Sequence, residues 1–139
     1  MNYWLFKSEP SSWSWDQQVE AGEKGTFWSG VRNHTAKQNL QRMKKGARGF
    51  FYHSGEGKAV VGVVEVIKEY YPDHTDKSGI FGMVDLKAVA PMPKPVTLEQ
   101  IKAEPALRDM ALVKFSRLSV QPVTAEEWRI VCGMGGYKG

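Results

Sequence analysis

An α+β domain built on a curved sheet or small β-barrel with peripheral helices is the architecture this sequence predicts. Three observations carry it: strand-like runs outnumber helix-like ones, most links are short, and no repeated strand-helix-strand series runs through the chain. With 139 residues, 42% of them hydrophobic, the chain is sized for one domain with a real core. No apolar run reaches the roughly 18 residues of a membrane span, and M-N-Y-W-L-F-K lacks a signal peptide's basic start and cleavage site. A soluble, cytoplasmic monomer is expected. The lone Cys132 excludes an internal disulfide and a multi-cysteine zinc centre, so packing is its expected role.

Taken in order, Tyr3 to Lys7 has the aromatic, apolar composition of a strand and is ended by Ser8-Glu9-Pro10. Ser14 followed three residues later by Gln17 is a capping-box pattern, which predicts a short helix to Val19 or Glu20 closed by Gly22 and Gly25. Ala36, Leu40 and Met43 recur at helical spacing and predict an amphipathic helix over 34–45, ended by Gly46. Phe50 to His53 and Ala59 to Val66 read as a hairpin around the turn S-G-E-G-K. Tyr70 to Gly79 is polar and turn-rich, hence a loop, and Phe81 to Val89 a further strand. Thr97 with Gln100 and Thr124 with Glu127 form two more capping boxes, each preceded by a valine able to staple onto Ile101 or Trp128. Leu112-Val113 and Arg117 to Val123 have extended character, with Pro122 ending the second run. Met134 to Gly139 reads as a frayed tail.

One stretch, T-F-W-S-G-V-R-N-H-T-A-K-Q-N from Thr26 to Asn39, gathers the parts of a recognition site. Trp28 offers a flat ring, Gly30 close access to backbone, Arg32 a guanidinium and Asn33 an amide, just before a helix start whose free N–H groups suit a polar ligand edge. The plainer alternative is that Trp28 is core and Asn33 only an N-cap. Charge is concentrated nearby: residues 32–58 hold seven Lys or Arg against the single acid Glu56, so the rest of the chain contributes −2 to the overall +4. A local basic cluster beside an aromatic and an amide suits nucleic acid, although a solvated helix face is the commoner origin of such runs.

The sequence also resembles the EVE-domain family, a branch of the PUA-like superfamily. The motifs are Y-W-L-F-K-S-E-P at Tyr3, W-S-G-V-R-N at Trp28, F-Y-H-S at Phe51, V-V-G-V-V-E-V at Val60, Y-P-D-H-T at Tyr71, and the long D-M-A-L-V-K-F-S-R-L-S-V-Q-P-V-T from Asp109. The resemblance covers nearly the whole chain, 1–139, as a single domain. It implies a PUA-like barrel with peripheral helices, no catalytic activity, no cofactor, and a pocket for a modified base in DNA or RNA, modified cytosine above all. More distantly it extends to the YTH readers of methylated adenine, whose pattern looks like Lys7-Ser8, Trp28 with Asn33, and Ser54. The chain departs from many members at Ala47-Arg48-Gly49, where they carry an acid followed by apolar residues.

An enzyme would need a reactive constellation, and the candidates are thin. His53 and Ser54 are adjacent on a strand and point to opposite faces, and His34 and His74 lack metal-ligand spacing. Asp73, His74 and Asp76 resemble a metal loop, but the same residues are ordinary turn formers and turn chemistry is the expectation. No catalytic or metal site is expected. In the binding reading Trp28 forms one wall of a slot for a flipped or unpaired base, with Asn33, Ser54 and main-chain groups around Ser8, Ser29 and Gly30 reading its edge. Lys7, Arg32 and Arg117 meet phosphate or the polar rim, Tyr52 supplies a second wall or packs, and Lys37, Arg42, Lys44 and Lys45 follow the backbone. Trp4, Trp13, Trp15 and Trp128 are expected in the core, Trp13 being the one placed to edge into the pocket. A free modified nucleoside or other flat metabolite, without polymer, is the alternative ligand, and a protein adaptor a third reading.

Overall fold

The computed structural model describes residues 3–55 and 57–138. Its strands are β1 (Tyr3–Ser8), β2 (Thr26–Phe27), β3 (Arg48–His53), β4 (Ala59–Pro72), β5 (Gly82–Thr97) and β6 (Val120–Val123), and its α-helices α1 (Trp15–Glu20), α2 (His34–Arg42), α3 (Leu98–Ala103), α4 (Ala111–Lys114) and α5 (Ala125–Gly135). The strands form one open sheet in the order β2-β5-β4-β3-β1-β6. The edges β2 and β6 do not meet, so the barrel alternative gives way to an open sheet. Neighbours are antiparallel except β1 and β3, which run parallel with Leu5 beside Phe50 and Phe6 beside Phe51.

Helices cover both faces of that sheet, which explains why its central strands are almost wholly apolar. Successive residues of a strand point to opposite faces. Leu5, Phe50, Tyr52 and Val63 join a core under α3, α4 and α5, while Trp4, Phe6, Phe51 and Val64 join a second core with Trp15, Trp28, Leu40 and Met43. At Gly62 the Trp15 ring comes so close that a Cβ would lie 2.4 Å from it, so only glycine lets the ring seat there.

The three expected capping boxes are present at Ser14, Thr97 and Thr124, each with its side chain accepting from the third helical N–H and a returning Gln or Glu. Each such cap stabilises its helix by about 1 kcal/mol. Other expectations need correction. α2 stops at Arg42, with Met43 already extended, three residues short of Lys45. β4 continues through Pro72 and β5 through Thr97, far beyond Val66 and Val89. Pro91, Pro93 and Pro95 withhold N–H groups there, and the register jumps from Gly62 opposite Pro91 to Val60 opposite Val96. Leu112-Val113 lies in α4 rather than a strand, and Pro122 sits inside β6, opposite Trp4, where an edge strand tolerates a missing donor. α5 runs on to Gly135 and closes on Gly136, whose left-handed φ of 74° lets its N–H and that of Tyr137 return to the last turn, so Met134 is helical. Within the expected turn Ser54 to Lys58, Glu56 lies outside the described residues, as does Gly139 of the tail. Cys132 is buried, and burial pushes its thiol up to about 11. Among the described residues no helix is long and apolar enough to cross a membrane.

Candidate nucleic-acid interface

A cleft of about 420 Å³ opens where the end of β1 meets the segment that follows β2. Lys7, Ser8, Glu9, Ser12 and Trp13 line one side; Thr26, Phe27, Trp28, Ser29, Gly30 and Val31 line another, and Ser119 closes it. Trp28 is seated by its own N–H donating to the Val84 carbonyl at 2.8 Å. Phe6 and Phe51 meet it edge to face, at centroid distances of 5.4 and 5.7 Å and interplanar angles of 65° and 87°. Among the described residues no ring lies parallel on Trp28. The ring is thus anchored in the core without a stacked aromatic partner, and it reaches the cleft with 8% of its surface exposed.

Trp13 is held by a different device. Its Nε1 donates to Gln18 Oε1 at 2.9 Å, and the fully buried Gln18 donates through Nε2 to the Leu86 carbonyl at 3.1 Å. Ser8 Oγ donates to the Trp13 carbonyl. The wall is thus tied to the sheet through a buried amide, and the glutamine of the capping-box helix does more than the sequence pattern indicates.

The backbone of the Trp28 loop is organised by Asp73, which sequence reading treats as a turn former. Its buried carboxylate accepts from Gly30 N–H at 2.9 Å, Thr75 N–H at 2.7 Å, Thr75 Oγ1 at 2.6 Å and Arg32 Nη1 at 3.1 Å. Gly30 reaches it with φ at 86°, a conformation that favours glycine although the space around it is open. Burial alone would raise the Asp73 carboxyl. The hydrogen bonds from Thr75, Gly30 and Arg32 together outweigh that effect and hold it at about 2. Arg32 also donates to Thr75 Oγ1 at 3.0 Å and to the Val31 carbonyl at 3.0 Å, so its guanidinium braces the loop and does not line the cleft. The signal was present as two short motifs, W-S-G-V-R and Y-P-D-H-T, 43 residues apart between Gly30 and Asp73, and only the fold joins them.

Of the residues expected at the site, Lys7, Ser8, Trp28, Ser29 and Gly30 share the cleft, and Trp13 lines it as well. Lys7 Nζ donates to the Ser116 carbonyl at 2.6 Å; its pKa is lowered, first by burial and then by the charge of Lys58. Tyr52 does not reach the cleft. It lies on the opposite face of the sheet, in the core with Leu5 and Phe50, where burial pushes its hydroxyl up to about 12. Ser54 lines none of the cleft but donates to Glu9, which does, at 3.4 Å. Asn33 caps α2 by accepting from Ala36 N–H at 2.9 Å and, with Arg117, borders a separate depression. Thr26 and Phe27 lie within the stretch read as a recognition site but received no role there, because a two-residue strand leaves no periodicity to place them.

The basic residues divide similarly. Lys44 and Lys45 are exposed just beyond α2, whereas Arg42 donates to Asn39 Oδ1 at 2.8 Å and stands over the Trp4 ring at 5.7 Å. Lys37 Nζ stands 6.0 Å from the Phe81 ring centre. Arg48 pairs with Glu65 at 3.1 Å across the β3–β4 ladder, which gives the departure at that position a structural role.

Comparison with known proteins places this architecture. The EVE domain family model matches residues 2–134. Thymocyte nuclear protein 1 of Gallus gallus is 33% identical, the match covering 95% of this chain and 68% of that protein. A solved protein of Agrobacterium tumefaciens is 53% identical with a TM-score of 0.97, covering 99% of this chain and 94% of its own. Human THYN1 protein, solved in complex with 5-methylcytosine containing DNA, is 31% identical with a TM-score of 0.91 over 100% of both chains. The YTH domain of Zygosaccharomyces rouxii MRB1 aligns over 99% of this chain and 86% of its own at a TM-score of 0.59 and 20% identity, a likeness of fold. By the family match over almost its full length, this chain belongs to the EVE-domain family.

Proposed function

We propose that this protein is a non-catalytic module that takes a modified base of a nucleic acid, modified cytosine first, into the cleft lined by Trp13 and Trp28. The observation that carries the reading is the cleft itself: an anchored tryptophan with no ring stacked on it among the described residues, bordered by Trp13, Lys7 and polar groups. Its volume of about 420 Å³ falls within the roughly 300–1,000 Å³ of small-ligand pockets. The complex of the similar human THYN1 with 5-methylcytosine DNA supports the same ligand class. In this reading Lys7, Ser29 and the Gly30 segment meet the base edge, and the exposed Lys44 and Lys45 follow phosphates. Chemistry on the base finds no support at His53, whose Nε2 already accepts from Trp15 N–H at 3.0 Å while Ser54 turns to Glu9.

Titration of matched oligonucleotides, with and without 5-methylcytosine, tests this reading. One buried methyl carbon is worth about 0.8 kcal/mol, so discrimination by size alone is expected to be about fourfold. Trp28→Ala and Trp13→Ala are each expected to weaken binding of both ligands by about 1 to 3 kcal/mol, with circular dichroism reporting that the variants remain folded. A folded Trp28→Ala protein that binds like the parent overturns the assignment of the cleft.

A further inference from the structure

Beside the cleft, the turn from Phe115 to Leu118 displays an aromatic ring that the base-reading site does not use. Phe115 is 57% exposed, the most exposed large apolar side chain described, yet the turn beneath it is firmly built. The fully buried Gln121 donates through Nε2 to the Phe115 carbonyl at 3.2 Å and the Leu118 carbonyl at 2.9 Å, Leu118 N–H returns to the Phe115 carbonyl at 3.1 Å, and Lys7 holds the Ser116 carbonyl. A buried amide thus holds the backbone of the surface turn from which the exposed Phe115 ring projects.

The ring borders a depression of about 440 Å³ with Asn33, Thr35, Lys114 and Arg117. That depression and the cleft share both of their flanking segments. Trp28 to Val31 and Ser119 line the cleft, while Asn33, Thr35 and the residues up to Leu118 line the depression. The two hollows are thus lined by consecutive residues of the same two segments, and Phe115 borders the one next to the cleft. Lys114 is paired with Asp109 at 3.2 Å, but the exposed Arg117 has no ion-pair partner among the described residues. An outward ring beside a free guanidinium matches a base and its phosphate, since every base offers a π-face whatever its sequence.

We propose that Phe115 is a second stacking platform, taking the nucleotide that flanks the base held in the cleft, with Arg117 on the phosphate between them. The inference rests on the base-reading assignment above and adds a contact that only a polymer can make. The test compares 5-methyl-2′-deoxycytidine with a single-stranded DNA trinucleotide carrying 5-methylcytosine at its centre. Phe115→Ala is expected to weaken trinucleotide binding roughly 5- to 150-fold and to leave the free nucleoside unchanged. Phe115→Leu should lose most of the same affinity and Phe115→Tyr retain it. Arg117→Ala should flatten the slope of log K against log salt by about 0.7, which Phe115→Ala should not do.

Unchanged trinucleotide binding by a folded Phe115→Ala protein overturns the platform and leaves the cleft assignment standing. Equal losses for nucleoside and trinucleotide place Phe115 in support of the cleft and also overturn it, as does full affinity in Phe115→Leu. A parent protein that binds neither ligand removes the base-reading assignment and the platform together.

Discussion

Trp28 and Trp128 are comparably buried, at 8% and 6% exposure, but their neighbouring rings are arranged differently. Trp128 is sandwiched, with Tyr3 stacked at 4.3 Å and 14° on one contact and Phe50 at 4.1 Å and 15° on another. Trp28 meets aromatic partners only edge to face and borders a cleft. Burial alone does not distinguish a tryptophan packed between parallel rings from one without a stacked partner. The orientation of the surrounding rings does.

The largest expected effect lies on the sandwiched side. Trp128→Ala should lower unfolding free energy by about 3 to 5 kcal/mol in denaturant titration, because it empties a stacked site that α5 and the sheet cannot fill. Trp28→Phe should cost much less stability while weakening ligand binding. If the two variants are equally destabilised and Trp28→Phe binds normally, the contrast between the faces fails.

Next in size is the brace behind Trp28. Asp73→Asn should cost about 1 to 3 kcal/mol, less than a fully buried pair, because the Arg32 side chain is 40% exposed. The folded carboxyl, at about 2, lies below its ordinary 3.8, so its stabilisation is complete above about pH 4 and is lost as the pH falls through 2. Acid unfolding followed by tryptophan fluorescence should show this component in the parent and not in Asp73→Asn.

The smallest effect belongs to His53, which joins α1 to β3 through its acceptor nitrogen. Its pKa is lowered by burial, against a weaker opposing effect of Asp16. Stability is therefore full above the ordinary 6.5 and declines as the pH falls from there toward the folded value, by about 1 kcal/mol if a single hydrogen bond is lost. In His53→Gln, which keeps an acceptor without titrating, thermal denaturation between pH 7 and pH 5 should not show this shallow decline.

These contrasts also explain what the sequence could and could not disclose. Capping boxes at Ser14, Thr97 and Thr124 were legible because their chemistry is local, within four residues. Trp28, Gly30 and Lys7 were legible as types suited to a flat, polar ligand. The face on which Tyr52 sits was not, because β3 is apolar on both sides and alternation disappears when helices cover both faces of a sheet. Asp73 and Gln18 were illegible for a related reason: each acts on a partner distant in sequence, and a turn former or helix polar residue looks the same whether or not such a partner exists. Phe115 read as part of an ordinary motif until the anchoring of its turn by Gln121 became visible.

The bond from Lys7 to Ser116 spans 109 residues, and β1 is completed only when β6 pairs with it, Tyr3 opposite Val123. During synthesis the first strand must therefore wait for nearly the last before Ser119, just ahead of β6, closes the cleft. Loop closure over such separations is slow compared with local helix formation. Ligand binding should be among the last properties a refolding chain acquires, appearing after most of its helical signal, and the bound base would then report that both ends of the chain have met.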